Sequence, residues 1–524
     1  MTPSTSNIFD YTNRKSLFLF AFLEGAIVIS CELIGGKMLN SFFGSSLYVW
    51  TSIITTTLVF LTLGYYLGGK LSRKKNAISI LRHCFILASF FIIIMPLIAD
   101  AVFLKFSVYS LITGSVFSSI ILLAPPILLL AISSPIIIQL LTDEEENPGK
   151  IAGQVYALST IAGIIATLIL GFYLIPHLGL RIPLFCSALI LGGMSLLLRF
   201  NAINIFILII VVALGYKAIS KVKDDPRYYE TLFQTEGLMG QLKVTDLKYS
   251  GDDKKYRTLF INGIPQTIIS HENSEGSSFW EYVHRISAVA SLKRERKGLL
   301  IGMGGAGIAN ELQKQKIQLD IVDIDKRMDE ISQEFFYYRP NETTTFTVDD
   351  ARHYIKTAKK KYDLIILDVA SGEVQPYNLF TLEGVSELKQ ILQPDGIVLI
   401  QYQEKINPNR ISGSQSIAKT FLKNNFKVYQ NIENVDISSV VIACSPKSMD
   451  FSQINKSHLT KNVLKQPWLD DFLTEPFKPI LKASKNSIIL TDDKPVLEFL
   501  NSETIELWRK KMIENFGVKF LDAN

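Results

Sequence analysis

The chain is poor in the residues that build covalent and metal cross-links. Its 524 residues include four cysteines, Cys31, Cys84, Cys186 and Cys444. None forms a CxxC pair and three lie in apolar segments, so they read as small buried hydrophobes. Neither a disulfide framework nor a metal site is implied. An excess of one charge is also lacking: 54 Lys and Arg against 49 Asp and Glu leave a formal +5. With no dense basic and aromatic cluster beside it, that balance argues against a nucleic-acid partner. Charge of either sign is scarce between residues 16 and 219, whereas 220–524 have ordinary soluble composition. The mean hydropathy of +0.24 therefore comes from the first part. Length alone allows two or three domains.

Apolar runs of membrane-spanning length fall at 17–42, 47–69, 77–99, 152–175, 180–198 and 202–219. The first is not expected to be a signal peptide, because it is long, carries Glu24 and Glu32, and precedes further spans. Residues 101–142 fit two short spans broken at Ala124-Pro125-Pro126, or one span after a surface helix. Lys70, Arg73, Lys74, Lys75 and Arg82 flank one connection, and Lys217, Lys221 and Lys223 follow the last span. Placing both groups in the cytoplasm requires eight spans rather than seven, with the acidic 143–146 loop outside. The expectation is a multi-pass protein of the inner (plasma) membrane, with its C-terminal part cytoplasmic. An acid inside a span is costly, so Glu32 is either functional or paired with a base such as Lys37. Gly64, Gly68, Gly69, Gly163 and Gly171 suit close helix packing.

The soluble half is organised around residues 298–325. An apolar run, Leu299 to Ile301, enters Gly302-x-Gly304-x-x-Gly307 and then a helical pattern. A second apolar run carries Asp323, about twenty residues after the first glycine. Glycines permit a tight turn and close approach of a ligand to helix-start amides, and the acid can accept ribose hydroxyls. Ahead of this, Tyr229 to Thr267 alternates as strands, with a turn at Asn262-Gly263. After it, strands and helices alternate: Thr345–Val348, Tyr362–Asp368 and Gly396–Gln401 read as strands, and Leu382–Leu392 as a helix. That repetition predicts a parallel, doubly wound sheet with ligand at the carboxyl ends, where Asp323, Asp350 and Asp368 would lie. The domains expected are 1–222, an all-α polytopic bundle; 223–280, a small β unit; and 281–524, an α/β Rossmann-like domain.

These residues resemble the polyamine aminopropyltransferase (spermidine synthase) family in its membrane-fused form. In the first half the likeness lies in Glu32 and Lys37, Phe43-Gly-Ser-Ser-Leu-Tyr48, Leu63-Gly-Tyr-Tyr-Leu-Gly-Gly69, Pro135, Gly153-Gln-Val-Tyr156 and Leu174-Ile-Pro-His-Leu-Gly179. In the second half, Leu259-Phe-Ile-Asn-Gly263-x-x-Gln266 is similar to L-x-L-D-G-x-x-Q, and Tyr282-Val-His284 to an aromatic and histidine pair. Ile301–Gly307 is similar to the family's glycine loop, Val322–Asp325 to V-E-I-D, Asp350-Ala351-Arg352 to D-[AG]-R, and Leu490–Glu498 to the terminal T-D-D-x-P-V-E stretch.

The resemblance implies an enzyme that binds decarboxylated S-adenosylmethionine as co-substrate, passes its aminopropyl group to an amine and releases methylthioadenosine, with no tightly bound cofactor. It implies Gly302, Gly304, Gly307, Asp323, Asp350, Ala351, Gln266 and His284 as the adenosyl site, and Asp368 as the catalytic acid. Tyr282, Ser371 and Glu373 would face the acceptor, and soluble relatives suggest a homodimer through the β unit. The chain departs from D-[ST]-x-D-P, reading Asp368-Val-Ala-Ser371-Gly372, so the second acid is Ser371. A dicationic acceptor would then have fewer partners. The competing readings are cleavage, cyclisation or methyl transfer from S-adenosylmethionine; a non-catalytic transporter or sensor of a nucleoside metabolite; and a nicotinamide dehydrogenase, which would leave Asp350 and Asp368 idle.

Overall fold

The computed structural model describes residues 13–44, 46–106, 108–142, 147–219, 228–237, 240–248, 255–270, 277–292, 297–370, 375–433, 436–454, 469, 472 and 477–516. The chain forms two compact units. One holds the residues up to Lys223 with Thr235–Gln241, and the other holds Asp224–Gln234 and Leu242–Asn515.

The first unit is helical: α1 (Arg14–Phe43), α2 (Leu47–Leu71), α3 (Ala77–Phe106), α4 (Leu111–Thr142), α5 (Pro148–Ile169), α6 (Ile175–Leu178), α7 (Arg181–Leu198) and α8 (Ala202–Ile219). Asn13 and Ser46 start α1 and α2 by accepting from the Ser16 and Val49 amides, as N-caps do. A π turn, Leu170–Leu174, joins α5 to α6 immediately before Pro176, whose missing N–H disturbs the α-helical ladder there. Gly64 and Gly68 bring α2 against α4: a Cβ on Gly64 would lie 2.3 Å from the Ala131 Cβ, and one on Gly68 2.6 Å from the Ile132 carbonyl oxygen. Gly69 has open space around it and serves no such contact. Ser52 with Ser115 (3.0 Å) and Thr56 with Ser119 (2.8 Å) add hydrogen bonds between the same two helices.

Among the described residues, seven helices are long and apolar enough to cross a membrane, α5 and α6 counting as one. The preference for eight is therefore corrected. The 101–142 stretch supplies the end of α3 and one unbroken α4, which contains Pro125, Pro126 and Pro135. Prolines are tolerated in apolar helices when neighbouring groups take up the freed carbonyls. Seven crossings would put the 72–76 turn and the end of α8 on opposite sides. The two basic groups cannot then share one side.

The second unit opens with a four-stranded sheet, β1 (Tyr229–Thr235), β2 (Leu242–Lys248), β3 (Lys255–Ile261) and β4 (Ile264–Ser270), in that order. Asn262 and Gly263 turn β3 into β4 with φ of +50° and +78°, as a two-residue hairpin turn requires. Then follow α9 (Glu281–Ala290), β5 (Lys297–Ile301), α10 (Gly307–Lys314), β6 (Gln318–Asp323), α11 (Arg327–Phe335), β7 (Thr344–Val348), α12 (Ala351–Thr357) and β8 (Tyr362–Leu367). The chain continues through α13 (Leu382–Ile391), β9 (Leu392–Glu404), α14 (Gly413–Lys423), β10 (Lys427–Ile432), β11 (Ser438–Ser445), β12 (Lys478–Pro479), α15 (Leu497–Leu500) and α16 (Ser502–Phe516).

The second sheet has eight strands in the order β12-β10-β11-β9-β8-β5-β6-β7. β9, β8, β5, β6 and β7 are parallel, as the alternation of strand and helix predicts. Beyond these five strands the sheet turns antiparallel. β10 and β11 are separated by only a short connection, too short for a crossover, so they pair antiparallel, and β11 runs antiparallel to β9. Leu300, Ile366 and Leu399 are buried on one face of this sheet; Leu299, Ile365 and Ile400 are buried on the other. Apolar side chains on both faces explain why these strands are continuous hydrophobic runs.

Candidate active site

The site is built where β8, β5, β6 and β7 end side by side. Gly302 follows β5 with φ +88°, and a Cβ there would stand 2.1 Å from the Asp368 carbonyl oxygen, so only glycine fits. Its amide donates to the Val322 carbonyl (2.9 Å), and the Asp368 amide donates to the Ile301 carbonyl (3.0 Å). These bonds lock the glycine loop between its two neighbouring strands. Gly304, at φ +50°, continues the turn, and α10 begins at Gly307. The Gly305 amide donates to Thr267 Oγ1 (2.9 Å), so β4 supports the loop from outside the large sheet.

Asp323 ends β6. Its carboxylate accepts from the Met303 amide (2.8 Å) and the Asp325 amide (2.9 Å). Burial pushes its pKa up, opposed by these amides and that of Gly304. The acid is thereby held against the glycine loop. Asp350 stands just past β7 and is exposed. It caps α12 by accepting from the His353 amide (2.9 Å), and Ala351 is the first residue of that helix. Arg352 joins the two motifs around it: it pairs with Asp492 (3.0 Å) and with Glu387, and donates to the Asn378 carbonyl. Thr381 Oγ1 also donates to Asp492 (2.6 Å). The D-A-R and T-D-D segments, far apart in sequence, are one ion-paired brace.

Asp368 stands immediately beyond β8. Tyr282, buried on α9, donates its hydroxyl to Asp368 Oδ2 (3.2 Å). Burial pushes the Asp368 carboxyl up to about 7, against the lowering effect of that hydrogen bond. A carboxyl so tuned can exchange a proton near neutral pH. Burial also pushes the Tyr282 phenol well up, so it acts as a donor. His284 is buried with Nε2 2.8 Å from the Ser278 carbonyl, and burial lowers its pKa. Gln266 is half-buried on β4 and makes a long 3.5 Å contact to the Ile264 carbonyl. Ser371 and Glu373 lie outside the described residues. In the helical unit, Glu32 is half-buried, and Lys37 Nζ donates to the Gly237 carbonyl (3.1 Å). Among the described residues no ion pair joins Glu32 to Lys37. No cluster of His, Cys, Asp and Glu among the described residues could hold a metal.

Three contributors were not found from the sequence. Thr267 supports the glycine loop. Gln401 follows the Leu367–Ile400 pairing of β8 with β9, which sets it beside Asp368 on the same face, and it is buried. Its carbonyl accepts from Gln375 Nε2 (3.0 Å). Trp508 donates to Gln403 Oε1 (2.9 Å) and meets Trp280 edge-on at 6.4 Å. A polar residue directly after an apolar run within a buried strand was the available signal, and it fits Gln401.

Residues 282–435 match the spermine/spermidine synthase domain family. A polyamine aminopropyltransferase of Vibrio vulnificus is 33% identical over 150 residues, covering 27% of this chain and 50% of that protein. Polyamine aminopropyltransferase 2 of Aquifex aeolicus is 27% identical over 293 residues, covering 51% of this chain and 56% of that protein. The chain thus spans about half the length of these curated relatives. Among solved structures, a probable spermidine synthase from Corynebacterium glutamicum superimposes with a TM-score of 0.36 at 17% identity, covering 49% of this chain and 95% of that one.

Proposed function

We propose that this chain, with its spermine/spermidine synthase domain at 282–435, is a membrane-anchored aminopropyltransferase. Its co-substrate is decarboxylated S-adenosylmethionine, its acceptor a small amine, and its by-product methylthioadenosine. The observation that carries this reading is a pair of strand-end acids beside a glycine loop, Asp323 held by the Met303 amide and Asp368 by the Tyr282 hydroxyl.

The chemistry follows from those groups. Asp323 takes the ribose hydroxyls, while the loop from Gly302 to Gly307 gives the adenosyl moiety a close backbone surface. Asp350, with one oxygen committed to its helix cap, has the other for the adenine amino group. The acceptor nitrogen attacks the carbon beside the sulfonium. The new C–N bond forms as the C–S bond breaks, sulfur leaves as the neutral thioether, and the proton from nitrogen passes to the Asp368 carboxylate. Positive charge moves from sulfur to nitrogen and then to that carboxylate as a proton. Holding nitrogen and carbon in line supplies most of the acceleration. The Tyr282 hydroxyl keeps one carboxylate oxygen fixed, which aims the other.

Ser371, in place of a second loop acid, favours one alternative: a sulfonium reaction without a polyamine acceptor, either self-cleavage or cyclisation to methylthioadenosine, or methyl transfer. Incubating the purified full chain with decarboxylated or intact S-adenosylmethionine, with and without putrescine, separates them. Methylthioadenosine with spermidine supports the first reading. Methylthioadenosine without acceptor supports cleavage, and S-adenosylhomocysteine supports methyl transfer. We place the soluble unit in the cytoplasm, where such co-substrates are made. With seven crossings the 72–76 turn then faces outward.

A further inference from the structure

The helical unit contains an acid with no role in this chemistry. Glu24 lies on α1 and is 2% exposed. It accepts one hydrogen bond, from Ser134 Oγ on α4 (3.2 Å). Among the described residues no Lys, Arg or His pairs with it. Close helix contacts place two tyrosines nearby: a Cβ on Gly25 would lie 2.2 Å from Ser159 Oγ on α5, and one on Gly64 2.3 Å from the Ala131 Cβ on α4, so Tyr156 and Tyr65 stand about one turn from the Glu24–Ser134 pair. Four helices therefore bring a carboxyl, a hydroxyl and two phenols to one place.

Depth along each helix agrees. Glu24 is ten residues from the start of α1, Ser134 eight from the end of α4, Tyr65 six from the end of α2 and Tyr156 eight from the start of α5. At 1.5 Å per residue all four lie roughly 9–15 Å inside the face that carries the 72–76 turn. Pro135 follows Ser134 and leaves the Ala131 carbonyl without its helical donor, adding an acceptor one turn away. Tyr65 and Tyr156 are 37% and 48% exposed, while Glu24 is enclosed. An ionised carboxyl without a counter-charge is costly at that depth, so such acids mark ion or proton sites.

We propose that Glu24, with Ser134, Tyr65 and Tyr156, forms an intramembrane site for an alkylammonium ion. A single carboxylate with one hydroxyl and two aromatic rings suits an organic cation, which ring faces also attract. Among the described residues no group of His, Cys, Asp and Glu that could hold a metal ion lies there. The choice of an amine rests on the reaction proposed above, whose acceptor and product are amines. The bundle would then move or sense the amine that the soluble unit uses or makes.

The test uses the full chain in lipid nanodiscs. Dicyclohexylcarbodiimide, which modifies protonated carboxyls in apolar surroundings, should label Glu24 by mass spectrometry. Millimolar spermidine should suppress that label at least fivefold or be coupled to Glu24 as an amide. In proteoliposomes, Glu24→Gln should abolish spermidine uptake and Glu24→Asp should retain part of it. Methylthioadenosine formation by both variants should match that of the parent. Absence of label on Glu24, or label indifferent to spermidine, overturns the proposal, and this measurement on the parent protein decides the matter if Glu24→Gln does not assemble. Protection of Glu24 without any methylthioadenosine formation would overturn the proposed reaction and leave this site standing.

Discussion

The Tyr282 hydroxyl is 3.2 Å from Asp368 Oδ2, and this contact joins α9 to the end of β8. It also lowers the pKa of a group that burial raises to about 7. In the proposed reaction Asp368 is the base, so turnover should rise with pH through about 7. Tyr282→Phe removes the lowering contact, so the rise should move upward by roughly half a unit to one unit. The pH dependence of kcat for both proteins checks this.

The same carboxyl makes a stability prediction. Its folded pKa lies above the unfolded value, so the folded state holds the extra proton between about pH 4 and 7. Stability is therefore lost as pH rises through that window and is lowest above it. Asp368→Asn should abolish turnover, spare methylthioadenosine binding and stabilise the domain by roughly 1–3 kcal/mol at pH 8. Thermal unfolding at pH 5 and pH 8 should show the gain only at the higher pH.

Asp323→Ala should remove nucleoside binding, because the ribose acid is lost and the Met303 and Asp325 amides lose their acceptor. Titration calorimetry with methylthioadenosine should show a loss of at least tenfold, about 1.4 kcal/mol. Unchanged affinity would exclude this acid from the site.

Arg352→Ala should leave Asp492 and Glu387 without their partner and separate α12 from the Asp492 segment. The cost of breaking such a partly buried network is about 2–4 kcal/mol. Differential scanning should show the soluble unit melting about 5–10 °C lower. The adenosyl site should weaken with it, since Asp350 caps the same helix.

Accessibility reporters in the 72–76 turn and beyond α16 should report opposite sides of the membrane, as seven crossings require. Reporters on one side would restore an even count.

What was legible in the sequence was what the backbone dictates locally. Gly302, Gly304 and Asp323 sit at fixed spacing because a turn and two parallel strands demand it, and Asn262-Gly263 marked its hairpin for the same reason. What was not legible depended on partners far along the chain. Arg352 and Asp492 are 140 residues apart, and neither motif alone names the other. Thr267 looks like any strand threonine until the glycine loop is folded against it. The prolines of α4 misled because the rule that they end helices belongs to water, where a freed carbonyl finds another donor. The β10–β11 edge was missed because its strands lie close together with no helix between them.

Thr267 has a practical corollary. Its hydroxyl holds the Gly305 amide, and a Cβ on Gly305 would lie 2.9 Å from its own Cβ, so hairpin and glycine loop are fitted to each other. A truncated protein beginning at α9 would keep every strand of the large sheet, yet its glycine turn would lack an outer wall. Such a fragment should fold and still bind nucleosides poorly, so a minimal soluble version of this protein has to begin before β1.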